Sequence, residues 1–237
     1  MTAGGWDAAW FGSAATVRRE LWRGVEAQHQ VATMRLVDDL HEQDLLEQVL
    51  EASKPPLPPG CAGLPYLLAT PFRYASPWPS RFRSADEPGA WYGADDPETV
   101  AAELAYWRWR FFTDSDGLRD EQLVTEHTFF LATFSGPELD LTVAPWAENR
   151  PAWRHPRDYG ACQDLARAVR RRQPPAAAAI RYESARREAG LCQVVFDPAC
   201  LRLERPDAQQ TWICKTTAER VLLVHGPDRL EFLPAQD

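Results

Sequence analysis

The sequence predicts an α+β fold built on a split, mostly antiparallel sheet. Three observations lead there. Short β-branched or aromatic runs bounded by Gly, Pro or Asp recur through the second half of the chain. Two or three helical stretches interrupt them, and the segments never settle into the regular strand–helix–strand alternation of a parallel sheet.

From the N-terminus, residues 14 to 52 lack Pro and carry apolar residues at spacings near three and four: Leu21, Val25, Val31, Met34, Val37, Leu40, Leu45, Leu46, Val49 and Leu50. This pattern predicts one or two amphipathic helices, stopped by the run KPPLPPG from Lys54 to Gly60. Residues 1–60 thus read as a helical extension with a proline linker, and residues 61–237 as the main domain. LPYLLATPFRY reads as the entering strand, with a bend at Pro71. A short aromatic strand at Trp91 and Tyr92 precedes a helix with Asp96 as N-cap and Pro97 as first residue. Val100, Leu104, Trp107 and Phe111 form that helix's inward stripe, with Glu103 at its border. HTFFLATF and DLTV read as strands, and RDYGACQDLARAVRRR as a helix ending before Pro174 and Pro175. AIRY, LCQVVFD, TWICKTT and RVLLVHG supply further strands, with an edge strand around LEFLP.

A chain of 237 residues, 45% apolar and 25% charged, buries a core without help from disulfides or metals. The net charge of −8 argues against nucleic-acid binding, which needs a surplus of Lys and Arg on the contacting face. Five dispersed cysteines with no C-x-x-C pair, and five histidines without ligand spacing, point to a reducing compartment and no metal site. His29, Asp38, Asp39, His41 and Glu42 read as a solvated helix face. The N-terminus lacks the pattern of a signal peptide, and no apolar run reaches the ~18 residues of a membrane helix. The expectation is a soluble, cytoplasmic protein.

Chemistry concentrates between Phe72 and Phe112. Arg73, Arg81 and Arg83 stand among aromatics and proline turns, Tyr74 and Tyr92 offer rings, and Glu103 is a lone acid beside an apolar face. Arginine forks suit phosphates, so this composition fits an anionic, ring-bearing small molecule. A structural salt bridge between Glu103 and one of the arginines accounts for the same residues equally well. Further on, Ser184 follows a strand without a G-x-S-x-G elbow, and the chain lacks a Walker loop and a G-x-G-x-x-G fingerprint. The ten arginines between Arg150 and Arg187 read mainly as a solvated face.

The order Arg, Glu, Ser, carried by F-R-Y at Arg73, by Y-G-A-D-D-P-E-T-V-A-A-E ending at Glu103 and by R-Y-E-S at Ser184, resembles the RES domain. The resemblance runs from about Pro65 to the C-terminus, and the helix at Cys162 and Gln163 and the strand LCQVVFDP fit it. It implies a fold similar to diphtheria-toxin-like ADP-ribosyltransferases and a toxin paired with an Xre-type antitoxin. It also implies an enzyme that cleaves NAD⁺ at the nicotinamide glycosidic bond by phosphorolysis or hydrolysis, or passes ADP-ribose to a protein. A non-catalytic ligand-binding module is the remaining alternative. NAD⁺ is then a substrate, with inorganic phosphate as a candidate co-substrate, and no cofactor or metal is expected.

On that resemblance Glu103 would stabilise the cationic ribose, Arg73 would bind phosphate and Arg81 would support the diphosphate. Tyr74 and Tyr92 would position the nicotinamide end, Ser184 would hydrogen-bond ribose or phosphate, and Gln163 would brace the ligand's contacts. Many RES sequences carry a G-R-W-N-like turn where this one has SRFRSADEPG, so Arg81 and Arg83 compete for one role. The N-terminal helices would serve self-association, antitoxin contact or packing on their own domain.

Overall fold

A computed structural model describes residues 6–27, 36–85, 87–118, 121–172 and 176–233. Nine strands form one sheet: β1 (Ala15–Glu26), β2 (Trp91–Ala94), β3 (Leu123–Asp140), β4 (Ala179–Glu183), β5 (Leu191–Val195), β6 (Leu201–Arg202), β7 (Gln209–Thr216), β8 (Val221–His225) and β9 (Asp228–Phe232). The helices are α1 (Leu40–Ser53), α2 (Tyr66–Arg73), α3 (Pro97–Thr113) and α4 (Gly160–Arg171), with short helical turns at Ala8–Ser13, Trp146–Asn149 and Arg150–Trp153. The α+β expectation holds: every pairing but β3–β4 is antiparallel.

The long strand β3 organises the sheet. Its first part pairs with β7, which leads to β8 and the edge strand β9. Its end pairs with β4, which leads through β5 to β2. Along its other side lies β1, in register from Ala15↔Glu138 to Glu26↔His127. β1 also touches β2 at Trp22↔Ala94, so the ladder β1–β2–β5–β4–β3 returns to β1 and the sheet splits around that circuit.

This corrects the reading of residues 14–26. Val17, Leu21 and Val25 have helical spacing, yet the segment is a strand joined to the domain's longest strand. Non-local pairing along twelve residues outweighs a local periodicity that a strand also tolerates. The first part of the chain therefore belongs to the sheet and is not a separate extension. Of residues 14–52, the described helical segment is α1, and His29, Val31 and Met34 lie outside the described residues. Pro174 and Pro175, read as the stop of α4, also lie outside the described residues.

Two other elements differ. LPYLLATPFRY forms α2, where Leu68, Ala69 and Phe72 turn one buried face to the sheet and Pro71 is accommodated inside the helix. DLTV stops at Asp140, whose Oδ1 accepts from the Thr142 amide at 2.9 Å and hydroxyl at 2.6 Å, a local turn that competes with the ladder.

Alternate residues of β3 feed the two faces of the sheet. Phe130, Ala132 and Phe134 join Leu21, Leu68, Phe72 and Trp91 beneath α2, while Phe129 joins Val100, Ala101, Ala105 and Trp212 beneath α3. The start of α3 is as read: the Asp96 carboxylate accepts from the Thr99 amide at 2.7 Å and its hydroxyl at 2.9 Å. Its buried face is not. Ala101, Ala102, Ala105 and Phe112 meet the sheet, whereas Trp107 and Phe111 are 45% and 56% exposed. Alanines let the helix axis approach the strands, so the bulkier stripe of Val100, Leu104 and Trp107 is left to flank a cleft.

His127 lies buried in β3, its Nε2 3.0 Å from the Thr125 hydroxyl. Burial lowers its pKa to about 4, with the Arg108 guanidinium acting in the same direction. Between that value and the ~6.5 of an unfolded histidine, the unfolded chain binds a proton that the folded protein refuses. Stability is therefore full above pH ~6.5 and is lost as pH falls toward 4. The melting temperature is expected to drop through this window, with a shallower slope in His127→Gln; a slope unchanged in that variant would assign the acid sensitivity elsewhere.

Candidate functional site

The cleft forms where β1 crosses from β3 to β2. Two neighbouring pockets adjoin there, a smaller lobe of about 290 Å³ and a larger lobe of about 730 Å³, and Arg23, Ser80 and Tyr92 line both. Close approach of the strands shapes the smaller lobe. A Cβ on Gly24 would stand 2.6 Å from the Phe129 ring, and one on Gly93 would stand 3.0 Å from the Trp22 carbonyl oxygen. No other residue fits at either place without displacing core aromatics or backbone.

Glu103 lines the smaller lobe from α3, with Arg81, Tyr92, Trp107, Tyr159 and Tyr182 around it. Ser184 donates to Glu103 Oε1 at 2.6 Å. The same Ser184 oxygen accepts from the backbone amides of Arg186 at 3.0 Å and Arg187 at 3.1 Å. Two fixed donors on the oxygen leave its own proton only one useful direction, toward the carboxylate. Ser184 is wholly buried, so it reaches the ligand space only through Glu103 and not as a direct contact to ribose or phosphate.

Arg81 is buried with its guanidinium 4.6 Å from the Tyr159 ring centre, and its Nη1 donates to the carbonyls of Trp153 at 3.0 Å and His155 at 2.9 Å. Tyr92 holds its hydroxyl 2.8 Å from Ser80 Oγ and 3.2 Å from the Phe82 amide, and burial raises its pKa. Gln163 Nε2 donates to the Ser80 carbonyl at 3.0 Å, bracing the turn that carries Arg81 and Arg83. Tyr74 and Arg83 line the larger lobe. Arg83, though, gives its donors to the carbonyls of Ser76 at 2.8 Å, Ser84 at 3.1 Å and Trp78. The two arginines part in space: Arg81 lines the smaller lobe with Glu103, and Arg83 ties a loop in the other lobe.

Arg73 does not join them. Its guanidinium meets Glu51 of α1 at 2.6 Å and donates to the Pro55 carbonyl, fastening helix and proline linker to α2. The arginine that stands in the cleft is Arg23, which sequence reading missed because its stretch has helical spacing. Its Nη1 donates to the Tyr92 carbonyl at 2.7 Å, and its Nε has no hydrogen-bond partner among the described residues. No carboxylate pairs with it there. Burial lowers its pKa to about 10, so it remains a cation at neutral pH. The one sequence signal was Trp22-Arg23-Gly24, a cation followed by a glycine inside an apolar run.

The remaining wall groups are not nucleophiles. Burial pushes the Cys192 thiol and the Tyr182 phenol well above their usual ranges, so both stay protonated. Among the described residues no group of three or more His, Cys, Asp or Glu side chains is placed to hold a metal ion, and no helix is long and apolar enough to cross a membrane. Among the described residues the arrangement offers a carboxylate, Glu103, in the smaller lobe, the guanidinium of Arg23 shared by both lobes, and aromatic walls. It can bind an anionic ligand across the junction and stabilise positive charge in the smaller lobe.

No curated protein matches the sequence. Among solved structures, the crystal structure of the MbcT–MbcA toxin–antitoxin complex of M. tuberculosis is similar at 13% identity and a TM-score of 0.49, over 90% of this chain and 94% of that one. The family model for the RES domain matches residues 57–216, most of the chain and all of the segment from α2 to β7 that carries Glu103 and Ser184, and the chain belongs to the RES domain family.

Proposed function

We propose that the chain is a toxin-type enzyme that cleaves the nicotinamide glycosidic bond of NAD⁺, and that an antitoxin neutralises it. The observation that carries this reading is Glu103, held through one oxygen by Ser184 in a lobe that shares Arg23 with a second, larger one. A dinucleotide fits that plan, with its nicotinamide ribose in the smaller lobe, its diphosphate at Arg23 and its adenosine in the larger lobe. In the reaction the C1′–N bond breaks with its electron pair going to nicotinamide. The oxygen of phosphate or water then bonds to C1′. As the ribose becomes cationic, the Glu103 carboxylate stabilises it among the side chains of Trp107, Tyr159 and Tyr182. Arg23 holds the diphosphate still while the bond opens.

Purified protein incubated with NAD⁺ is expected to release nicotinamide. A requirement for phosphate would identify phosphorolysis, release without it hydrolysis, and label transferred to protein would redirect the reading to a transferase. No release under any condition would refute the enzyme. Expression should arrest growth, with relief by a co-expressed antitoxin.

Three substitutions probe the assignments. Glu103→Gln is expected to lower kcat about 10²–10⁴-fold at unchanged melting temperature; wild-type turnover would remove Glu103 from the chemistry. Ser184→Ala should lower kcat about tenfold or more while adding roughly 1 kcal/mol of instability, the cost of one lost buried hydrogen bond. Arg23→Ala should raise KM for NAD⁺ severalfold, whereas Arg73→Ala should lower the melting temperature and leave KM unchanged. The reverse pattern would return the ligand-binding role to Arg73.

A further inference from the structure

We propose that Arg186 is a positioning residue that ties the support of Glu103 to the aromatic wall of the same lobe, so that one residue orders both the acid and a ring beside it. The inference rests on the NAD⁺ reading above and adds a residue that acts on the reaction without touching the dinucleotide. The segment from Ser184 to Gly190 turns back on itself, the Ser184 amide donating to the Gly190 carbonyl at 2.8 Å. Inside that turn the amides of Arg186 and Arg187 meet at the Ser184 oxygen, at 3.0 and 3.1 Å, and their side chains then part. Arg187 goes to the start of α3, with Nη2 2.6 Å from Glu98 Oε2 and Nη1 3.0 Å from the Thr99 hydroxyl. Arg186 goes to the cleft wall.

Its guanidinium carbon lies 3.3 Å from the Tyr106 ring centre, and Nη2 donates to the Pro156 carbonyl at 2.6 Å and to the Tyr159 hydroxyl at 3.0 Å. Tyr106 follows Glu103 by one turn of α3, and Tyr159 lines the smaller lobe with Glu103. The Tyr159 hydroxyl also reaches the Pro156 carbonyl of its own turn, at 3.4 Å, longer than an ordinary hydroxyl bond. Arg81 lies 4.6 Å from the same ring's centre, so one arginine meets the ring and the other supplies the shorter bond at its phenol end. The planar fork suits that task, because stacking on Tyr106 and donating to Pro156 and Tyr159 use different directions of one group. Among the described residues Arg186 does not line the lobe, and its effect passes through Tyr159 and Ser184.

The test is a double-mutant cycle on nicotinamide release, followed over a range of NAD⁺ concentrations with the melting temperature of each protein recorded. Arg186→Ala and Tyr159→Phe should each lower kcat about tenfold, the order of loss expected when reacting groups are held slightly out of place, while KM for NAD⁺ stays within about twofold. Made together they should lower kcat no further than the worse of the two, since each breaks the same link. Should Arg186→Ala fail to fold, Arg186→Lys, which keeps the cation and loses the fork, takes its place in the cycle. Wild-type kcat in the folded variants, or losses that multiply, overturn the positioning role and leave the NAD⁺ reading standing. A wild-type protein that releases no nicotinamide overturns the NAD⁺ reading, and this role with it.

Discussion

The pairing of β1 with β3 positions everything else in this molecule. Twelve consecutive residues of β1 lie against β3, and near Trp22 the strand also reaches β2. That double contact closes the circuit of strands and brings Arg23 beside the Tyr92 carbonyl, within reach of the lobe that holds Glu103. The two glycines at the crossing, Gly24 and Gly93, are what allow the backbones to come so close. Helix α3 depends on the same crossing, since its alanine face rests on strands and on Phe129, beside which Gly24 leaves no space for a methyl group.

A cation without a carboxylate partner is a costly group to enclose, and Arg23 shows how the cost is limited. One donor is satisfied by a backbone carbonyl, and the guanidinium lies 5.5 Å from the Trp91 ring centre. What is left unsatisfied is consistent with an anion completing it. Arg81 and Arg83 are held differently: Arg81 Nη1 donates to two carbonyls with the guanidinium beside the Tyr159 ring, and Arg83 donates to three loop carbonyls. Elsewhere arginines meet acids directly, as Arg181 with Asp95 and Arg187 with Glu98, which explains most of the arginine-rich second half as structural pairing.

Much of this was legible in the sequence where local chemistry decides. The N-cap and proline at the start of α3, the helix around Gln163, and the strands from AIRY to LEFLP are fixed by capping, punctuation and β-branched runs, and all appear. Glu103 and Ser184 were found together, and the structure joins them by a hydrogen bond. The failures share one cause. Residues 15–26 and 66–73 have patterns compatible with either element, and the choice is made by partners more than a hundred residues away or by the face left open on the sheet. Arg73, given a phosphate-binding role by the family resemblance, is paired with Glu51 in the structure, whereas Arg23, inside a stretch with helical spacing, shows no sequence reason to approach the cleft.

The Ser184 geometry also narrows the kind of catalysis available. Two backbone amides occupy the hydroxyl oxygen, so the serine donates to Glu103 and does not accept from it. The serine therefore fixes the orientation of the Glu103 carboxylate at the wall of the smaller lobe. On the proposed reading that carboxylate is held in place to stabilise positive charge. Nicotinamide suits that arrangement: it departs from NAD⁺ as a neutral molecule and needs no proton from the enzyme. On the proposed reading the tasks divide physically, with Ser184 fixing the acid, Glu103 facing the developing cation, and Arg23 of β1 supplying the charge that holds an anion in place.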